Sequence, residues 1–161
     1  IDFYTTPIAY SDISDKMSKI IAMEAYRHHG HLYEDIENPM DDDVRSRVLS
    51  AKEVDKNAYI GLLEERRQAE KIFFNSMINF DVLVTPTIID EAPIISMVDQ
   101  SISPGHFTRP FNYAGMCALS IQMGLSKSGL PLGFQVAALP NCEELILQVG
   151  AAVERECQPL F

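Results

Sequence analysis

Apolar residues recur at three- and four-residue steps through the first half of the chain and gather into short unbroken runs in the second. Ile13, Met17, Ile20, Ile21, Ala25, Leu32 and Ile36 share one side of a helix predicted to end near Asp35, with Ser11, Asp12 or Ser14 as its cap. Gly30 weakens that helix locally, and Asn38-Pro39 ends the pattern. Asp41, Asp42 and Asp43 put negative charge where a second, short helix would start, ahead of Val44, Val48 and Leu49. The widest apolar stripe runs from Val54 to Phe80 through Ala58, Tyr59, Leu62, Leu63, Ala69, Ile72, Phe73 and Met77. Ser50-x-x-Glu53 offers it a capping box, with Asp55 as the alternative cap. Glu64, Glu65, Arg66, Arg67, Glu70 and Lys71 read as its solvated side.

Beyond Phe80 the period changes. Val82-Leu83-Val84 predicts a short buried strand stopped by Pro86. Residues 88–106, with Pro93, Pro104 and Gly105, predict a long loop, which in a compact domain is commonly functional or mobile. Ala118 to Met123 and Leu132 to Leu139 read as strands joined by a hairpin through Gly124, Lys127, Ser128 and Gly129. Asn141-x-x-Glu144 can cap a closing helix whose apolar face includes Leu145, Val149, Ala152 and Val153. Residues 1–80 are thus mainly helical, and residues 81–161 are strands with a closing helix. The class is mixed α/β, with the strand partners left open.

The net charge of −10, spread so that each half carries −5, speaks against nucleic acid, which needs clustered Lys and Arg. No apolar run is long enough to span a bilayer. Cys117, Cys142 and Cys157 form no CxxC pair and fit reduced thiols in the cytoplasm. A first residue of Ile1 rather than Met is expected of a cut or processed chain.

Four ordered signals carry more than composition does. They are Asp81-Val82-Leu83-Val84-Thr85-Pro86-Thr87, Thr108-Arg109-Pro110-Phe111-Asn112-Tyr113-Ala114-Gly115, Ala118-Leu119-Ser120-Ile121 and Gly129-Leu130-Pro131-Leu132-Gly133-Phe134-Gln135-Val136. Their succession resembles the C-terminal part of the amidase signature family, serine hydrolases that cleave amide bonds. The resemblance implies a mixed β-sheet flanked by helices, with residues 1–161 as the C-terminal segment. It also implies a Ser nucleophile, a second Ser on a cis peptide and a Lys that starts the proton relay. A hydroxyl needs such a base within hydrogen-bond reach. None of the three can be placed here, and Ser126-Lys127-Ser128-Gly129, which looks like a match, falls in the hairpin. No catalytic residue and no cofactor are therefore expected in this chain. The expected partners are an N-terminal amidase segment, on the same or a companion chain, and a small amide substrate in the complete enzyme. Strand edges left open by the missing segment predict association, including homo-oligomers. A non-catalytic interaction or assembly module is the alternative.

The chain departs from the family where Gly115-Met116-Cys117-Ala118-Leu119-Ser120-Ile121-Gln122 lacks two usual prolines. Glutamine-using relatives that amidate charged tRNA carry an acid shortly before the Thr-x-Pro segment. Gly105 and His106 stand there instead, which favours a general amide hydrolase.

Thr85, Thr87, Thr108, Arg109, Phe111 and Asn112 are the candidate substrate-pocket residues. Thr85 and Thr87 follow a strand end, where ligands often meet an α/β sheet, or else satisfy turn backbone. Arg109 can clamp a carboxylate, although pairing with one of the chain's own acids is the plainer reading. Phe107 and Phe111 can line an acyl pocket or pack the core, and Asn112 reads first as a loop-holding hydrogen-bonder. Cys117, Met77, Met116 and Met123 read as core. Glu24, His28, His29 and His31 share a helix region, yet a polar face is the stronger reading and no metal is expected.

Overall fold

The computed structural model describes residues 1–100 and 102–157. Three helices come first: α1 (Tyr10–Glu34), α2 (Asp42–Leu49) and α3 (Lys56–Ser76). Strand β1 (Leu83–Pro86), the short helix α4 (Arg109–Tyr113), strands β2 (Cys117–Leu125) and β3 (Pro131–Ala138), and helix α5 (Glu143–Glu156) follow. The chain is mixed α/β, and the three strands among the described residues pair antiparallel in the order β1-β3-β2.

Helix α1 begins without a side-chain cap, at Ala9 rather than at Ser11, Asp12 or Ser14. It runs unbroken through Gly30, because the ring of Tyr26 lies on that residue. A Cβ at Gly30 would sit 2.8 Å from Tyr26 Cε2. Asp41 caps α2, its carboxylate accepting from Val44 N at 3.0 Å. Asp55 occupies the cap position of α3 without a side-chain bond, and Ser50 instead donates to Arg47 O at 2.7 Å. No capping box forms there.

Pro86 is part of β1 rather than its stop. Thr87 N donates to Gly133 O at 2.9 Å, so by antiparallel alternation the missing N–H of Pro86 faces the free edge, where it costs no ladder bond. β2 carries a bulge between Gln122 and Gly124. The bulge turns Met123 outward, to 49% exposure, so it is not core. The β2–β3 connection is a hairpin, closed by Ser126 N to Leu130 O at 2.7 Å and Gly129 N to Ser126 O at 3.0 Å, with Gly129 at φ 80°.

The sheet separates two apolar clusters. On one face Leu83 and Ala137 meet Ile13, Ile20, Ala69, Phe73, Met77, Phe111 and Tyr113 from α1, α3, α4 and their ends. On the other, Leu119, Ile121, Phe134 and Val136 meet Ile146, Val149 and Val153 of α5. The buried positions of α5 are Ile146 and Gly150, with Ala152 exposed, so the helix is rotated from the expected face. Gly150 sets that rotation, since a Cβ there would lie 2.5 Å from Leu119 Cδ2. Ile21 and Leu32 of α1 remain exposed, and Ile36, expected on the same stripe, lies beyond the end of the helix and is exposed too.

Candidate functional site

Strand alternation places Thr85 and Thr87 of the β1 end, Gly133 and Gln135 of β3, and Ser120 and Gln122 of β2 on one sheet face. Residues Thr85, Gln135 and Ser120 form one cross-strand row. The helices cover the neighbouring Leu83–Ala137 row on this face but leave Ser120 and Gln122 exposed. A polar, partly open shelf results, opposite the face that α5 covers.

Gln135 is the centre of the shelf. Among the described residues it is the buried polar side chain, at 3% exposure. Its Nε2 donates to Thr85 Oγ1 at 3.0 Å and to Phe107 O at 3.1 Å. One side chain thereby ties β3, β1 and the segment before α4 together. Thr87 Oγ1 and Ser120 Oγ lie 2.6 Å apart. They bridge the central strand over Gly133, where a Cβ would sit 2.6 Å from Thr87 Oγ1 and 3.1 Å from Ser120 Oγ. These hydroxyls and the amide are neutral, so the group can bind and orient a polar ligand but supplies no base.

The segment carrying Phe107 to Phe111 is pinned to α1. Tyr10 meets His106, Phe107 and Phe111 edge-on at centroid distances of 5.9, 6.4 and 6.5 Å. Burial, and next the nearby Tyr4, push the Tyr10 hydroxyl above its ordinary range. Arg109 Nη1 donates to Ser14 Oγ at 3.1 Å and to Ser18 Oγ at 2.7 Å. The expected pairing with an acid is absent: no carboxylate lies within ion-pair reach of Arg109 among the described residues. A side chain at Gly105 would crowd Arg109 Cγ at 3.1 Å, so the bare backbone there makes room for the guanidinium stem.

The six candidates therefore separate. Thr85 and Thr87 come together on the shelf. Thr108 stands at the start of α4, with its hydroxyl 3.4 Å from Gly105 O. Arg109 is turned to α1. Phe111 is core, at 1% exposure. Asn112 is exposed, and its carbonyl accepts from Arg66 Nη2 at 3.1 Å. Ser120 and Gln135 complete the shelf, although sequence reasoning did not single them out. The available signal was polarity inside apolar runs, Ser120 between Leu119 and Ile121 and Gln135 between Phe134 and Val136.

Cys117 Sγ donates to Leu139 O at 3.2 Å and fills space beside α5. In the histidine region Glu24 accepts from Tyr59 Oη at 2.9 Å, while His28, His29 and His31 are exposed. Among the described residues no three His, Cys, Asp or Glu side chains are grouped to hold a metal ion. No helix among them is long and apolar enough to cross a membrane.

Comparison with known proteins gives this geometry a context. The profile of the family described as Amidase matches residues 5–147. Over 129 residues the chain is 33% identical to a human mitochondrial glutamyl-tRNA(Gln) amidotransferase subunit, covering 73% of this chain and 24% of that protein. It is 30% identical over 129 residues to 6-aminohexanoate-cyclic-dimer hydrolase of Pseudomonas sp. (strain NK87), covering 70% and 24%. A crystal structure of an amidase superposes with a TM-score of 0.85 at 20% identity, over 96% of this chain and 37% of that one. The chain thus spans about a quarter of the length of the curated relatives it matches. It belongs to the amidase signature family.

Proposed function

We propose that this chain is the C-terminal segment of an amidase-type hydrolase acting on carbon–nitrogen bonds. It contributes three strands, the flanking helices and one wall of the substrate pocket. The observation that carries this reading is the neutral shelf of Thr85, Thr87, Ser120 and Gln135 on a sheet whose outer strands each keep an open edge within the chain. A small amide offers both a donor and an acceptor without charge, and neutral hydroxyls match it. The nucleophile, its second serine and the lysine base come from a further segment, on the same or a companion chain. The cytoplasm suits three free thiols, and no cofactor is needed. Gly105 and His106 favour hydrolysis of a general amide over transfer to a charged tRNA.

The test is turnover of a panel of small amides by the purified chain, alone and with a segment carrying the Ser nucleophile, the second Ser and the Lys. The reading expects turnover only with both. Turnover by this chain alone would overturn it.

A second reading, a non-catalytic assembly module, is favoured by the loop between β1 and α4. Ile94, Ile95, Met97, Val98 and Ile102 are exposed there. It expects a stable homo-oligomer and no gain of turnover from the added segment.

A further inference from the structure

Arg109 uses only part of its hydrogen-bonding capacity. A guanidinium carries five N–H donors in a planar fork. The two on Nη1 go to Ser14 Oγ at 3.1 Å and Ser18 Oγ at 2.7 Å. The donors on Nε and Nη2, which form another edge of the fork, bond no described residue. That edge reaches solvent, because among the described residues the buried side-chain nitrogen or oxygen without a partner is Tyr113 Oη and not an Arg109 nitrogen. The side chain is nonetheless half-buried, and a charge drawn out of water normally meets an opposite one. The chain holds 23 acidic residues against 13 basic ones, so acids are plentiful, yet none among the described residues lies within ion-pair reach of Arg109. Gly105 and Ser103 shape the space beside the edge. A Cβ on Gly105 would lie 3.3 Å from both Arg109 Nε and Ser103 Oγ, so these two atoms flank the room that its absence leaves. Ser103 Oγ accepts from Gly105 N at 3.1 Å, and as a hydroxyl it has one proton to donate.

We propose that the Nε–Nη2 edge of Arg109, with the Ser103 hydroxyl, binds a small carboxylate monoanion. The two N–H groups of that edge run parallel and match the two oxygens of a carboxylate. Ser103 supplies a third donor to one of those oxygens. One unmatched positive charge suits one negative charge. A dianion would leave excess negative charge in a chain that already carries −10. Nη1 stays on Ser14 and Ser18, so the ligand takes the open edge without releasing α4 from α1. The site shares no residue with the shelf. Gln135 binds the carbonyl of Phe107, whereas Arg109 turns to α1. The proposal therefore does not depend on the amidase reading.

Acetate is the probe, titrated into the intact isotope-labelled chain near neutral pH with ionic strength held constant by sodium chloride. The readout is the Nε–Hε resonance of Arg109, assigned through its own backbone. Acetate should move it saturably, with a dissociation constant of about a millimolar for a charged two-point contact open to water. The Nε resonances of Arg47 and Arg67, which hold Gln100 and Glu64, should not follow that curve. Acetamide, of like shape without the charge, should leave Arg109 in place. Ser103→Ala should weaken acetate about fivefold by removing one donor. Arg109→Lys keeps the charge and loses the fork, and should weaken it about tenfold, read from the acetate methyl signal by saturation transfer. Should Arg109→Lys fail to fold, the titration of the parent and of Ser103→Ala still decides. The proposal is overturned by an Arg109 resonance that does not saturate, by equal shifts at Arg47 and Arg67, by acetamide acting as acetate does, or by an affinity indifferent to Ser103→Ala or to Arg109→Lys. A resonance that acetate leaves still would mean that water alone serves the edge.

Discussion

Thr87 Oγ1 and Ser120 Oγ meet at 2.6 Å across the central strand, over the bare Cα of Gly133. The contact exists because Gly133 has no Cβ. A methyl group there would lie 2.6 Å from Thr87 Oγ1 and 2.8 Å from Thr87 Cβ. Replacing a strand glycine by alanine normally gains about 0.5–1 kcal/mol by restricting the unfolded chain. Overpacking against a branched side chain costs about 1–3 kcal/mol, so the clash should win. Gly133→Ala is expected to lower the urea midpoint, and Thr87→Ala in the same chain to recover only part of the loss, because the Cβ it keeps still lies 2.8 Å from the new methyl. A Gly133→Ala chain as stable as the parent would mean that the backbone at Thr87 shifts away from β3 at little cost and that the bridge is weak.

Gln135 holds three pieces together through one amide. Gln135→Leu keeps the volume but leaves Thr85 Oγ1 and Phe107 O without their donor. Each unsatisfied buried group costs about 1–3 kcal/mol, partly relieved here because Thr85 and Phe107 are only half-buried. A loss of roughly 2 kcal/mol is expected. It should come with faster amide hydrogen exchange in the segment that follows Gly105 and little change in α5. A uniform acceleration over the whole chain would show instead that the amide serves global stability and not the local tie.

The helix period between Val54 and Phe80 was legible because it needs only local contacts, and Ala69, Phe73 and Met77 are indeed buried. The hairpin was legible through Gly129, whose φ of 80° few other residues adopt at low cost. Pairing of β1 with β3 was not legible, since Thr85 and Gln135 stand 50 positions apart and nothing local selects that register. The shelf was half legible. Thr85 and Thr87 announce a strand end, whereas Ser120 and Gln135 acquire meaning only once alternation puts them on the same face. Arg109 misled for a similar reason. Acids are abundant in the sequence, but two serines 91 and 95 positions away hold it. Gly30 misled because Tyr26 closes over it, and burial outweighs the helix propensity it lacks.

Arg109 clamps α4 to α1 through neutral partners, which separates it from an ion pair experimentally. Hydrogen bonds to a charged group contribute about 1.5–3 kcal/mol. Arg109→Met, which keeps most of the stem, should destabilise within that range. A double-mutant cycle with Ser18→Ala should give a coupling of about 1 kcal/mol. Added salt should leave the coupling nearly unchanged, because no opposite charge is being screened. A coupling that collapses in salt would reinstate an acidic partner for Arg109.

Tyr113 makes the alkaline limit of stability readable. Burial, the leading cause, raises its hydroxyl above the ordinary tyrosine range. Lys16 of α1 and Glu65, Arg66 and Glu70 of α3 act on it with opposed signs and partly cancel. Tyr4 and Tyr10 are raised as well, again chiefly by burial. In the unfolded chain these groups lose their protons near pH 10. Between that pH and their higher folded values the folded state binds more protons than the unfolded one, so stability falls as pH rises. Below about pH 10 both states keep the proton and the contribution is fully present. Urea midpoints followed from neutral pH upward should therefore stay level with respect to these groups and then decline past about pH 10. Tyr113→Phe should make that decline shallower while leaving the neutral midpoint equal or higher, because the hydroxyl it removes has no hydrogen-bond partner among the described residues. An unchanged alkaline slope would show that Tyr113 ionises as freely in the fold as outside it, and a lower neutral midpoint would show that its hydroxyl is already bonded.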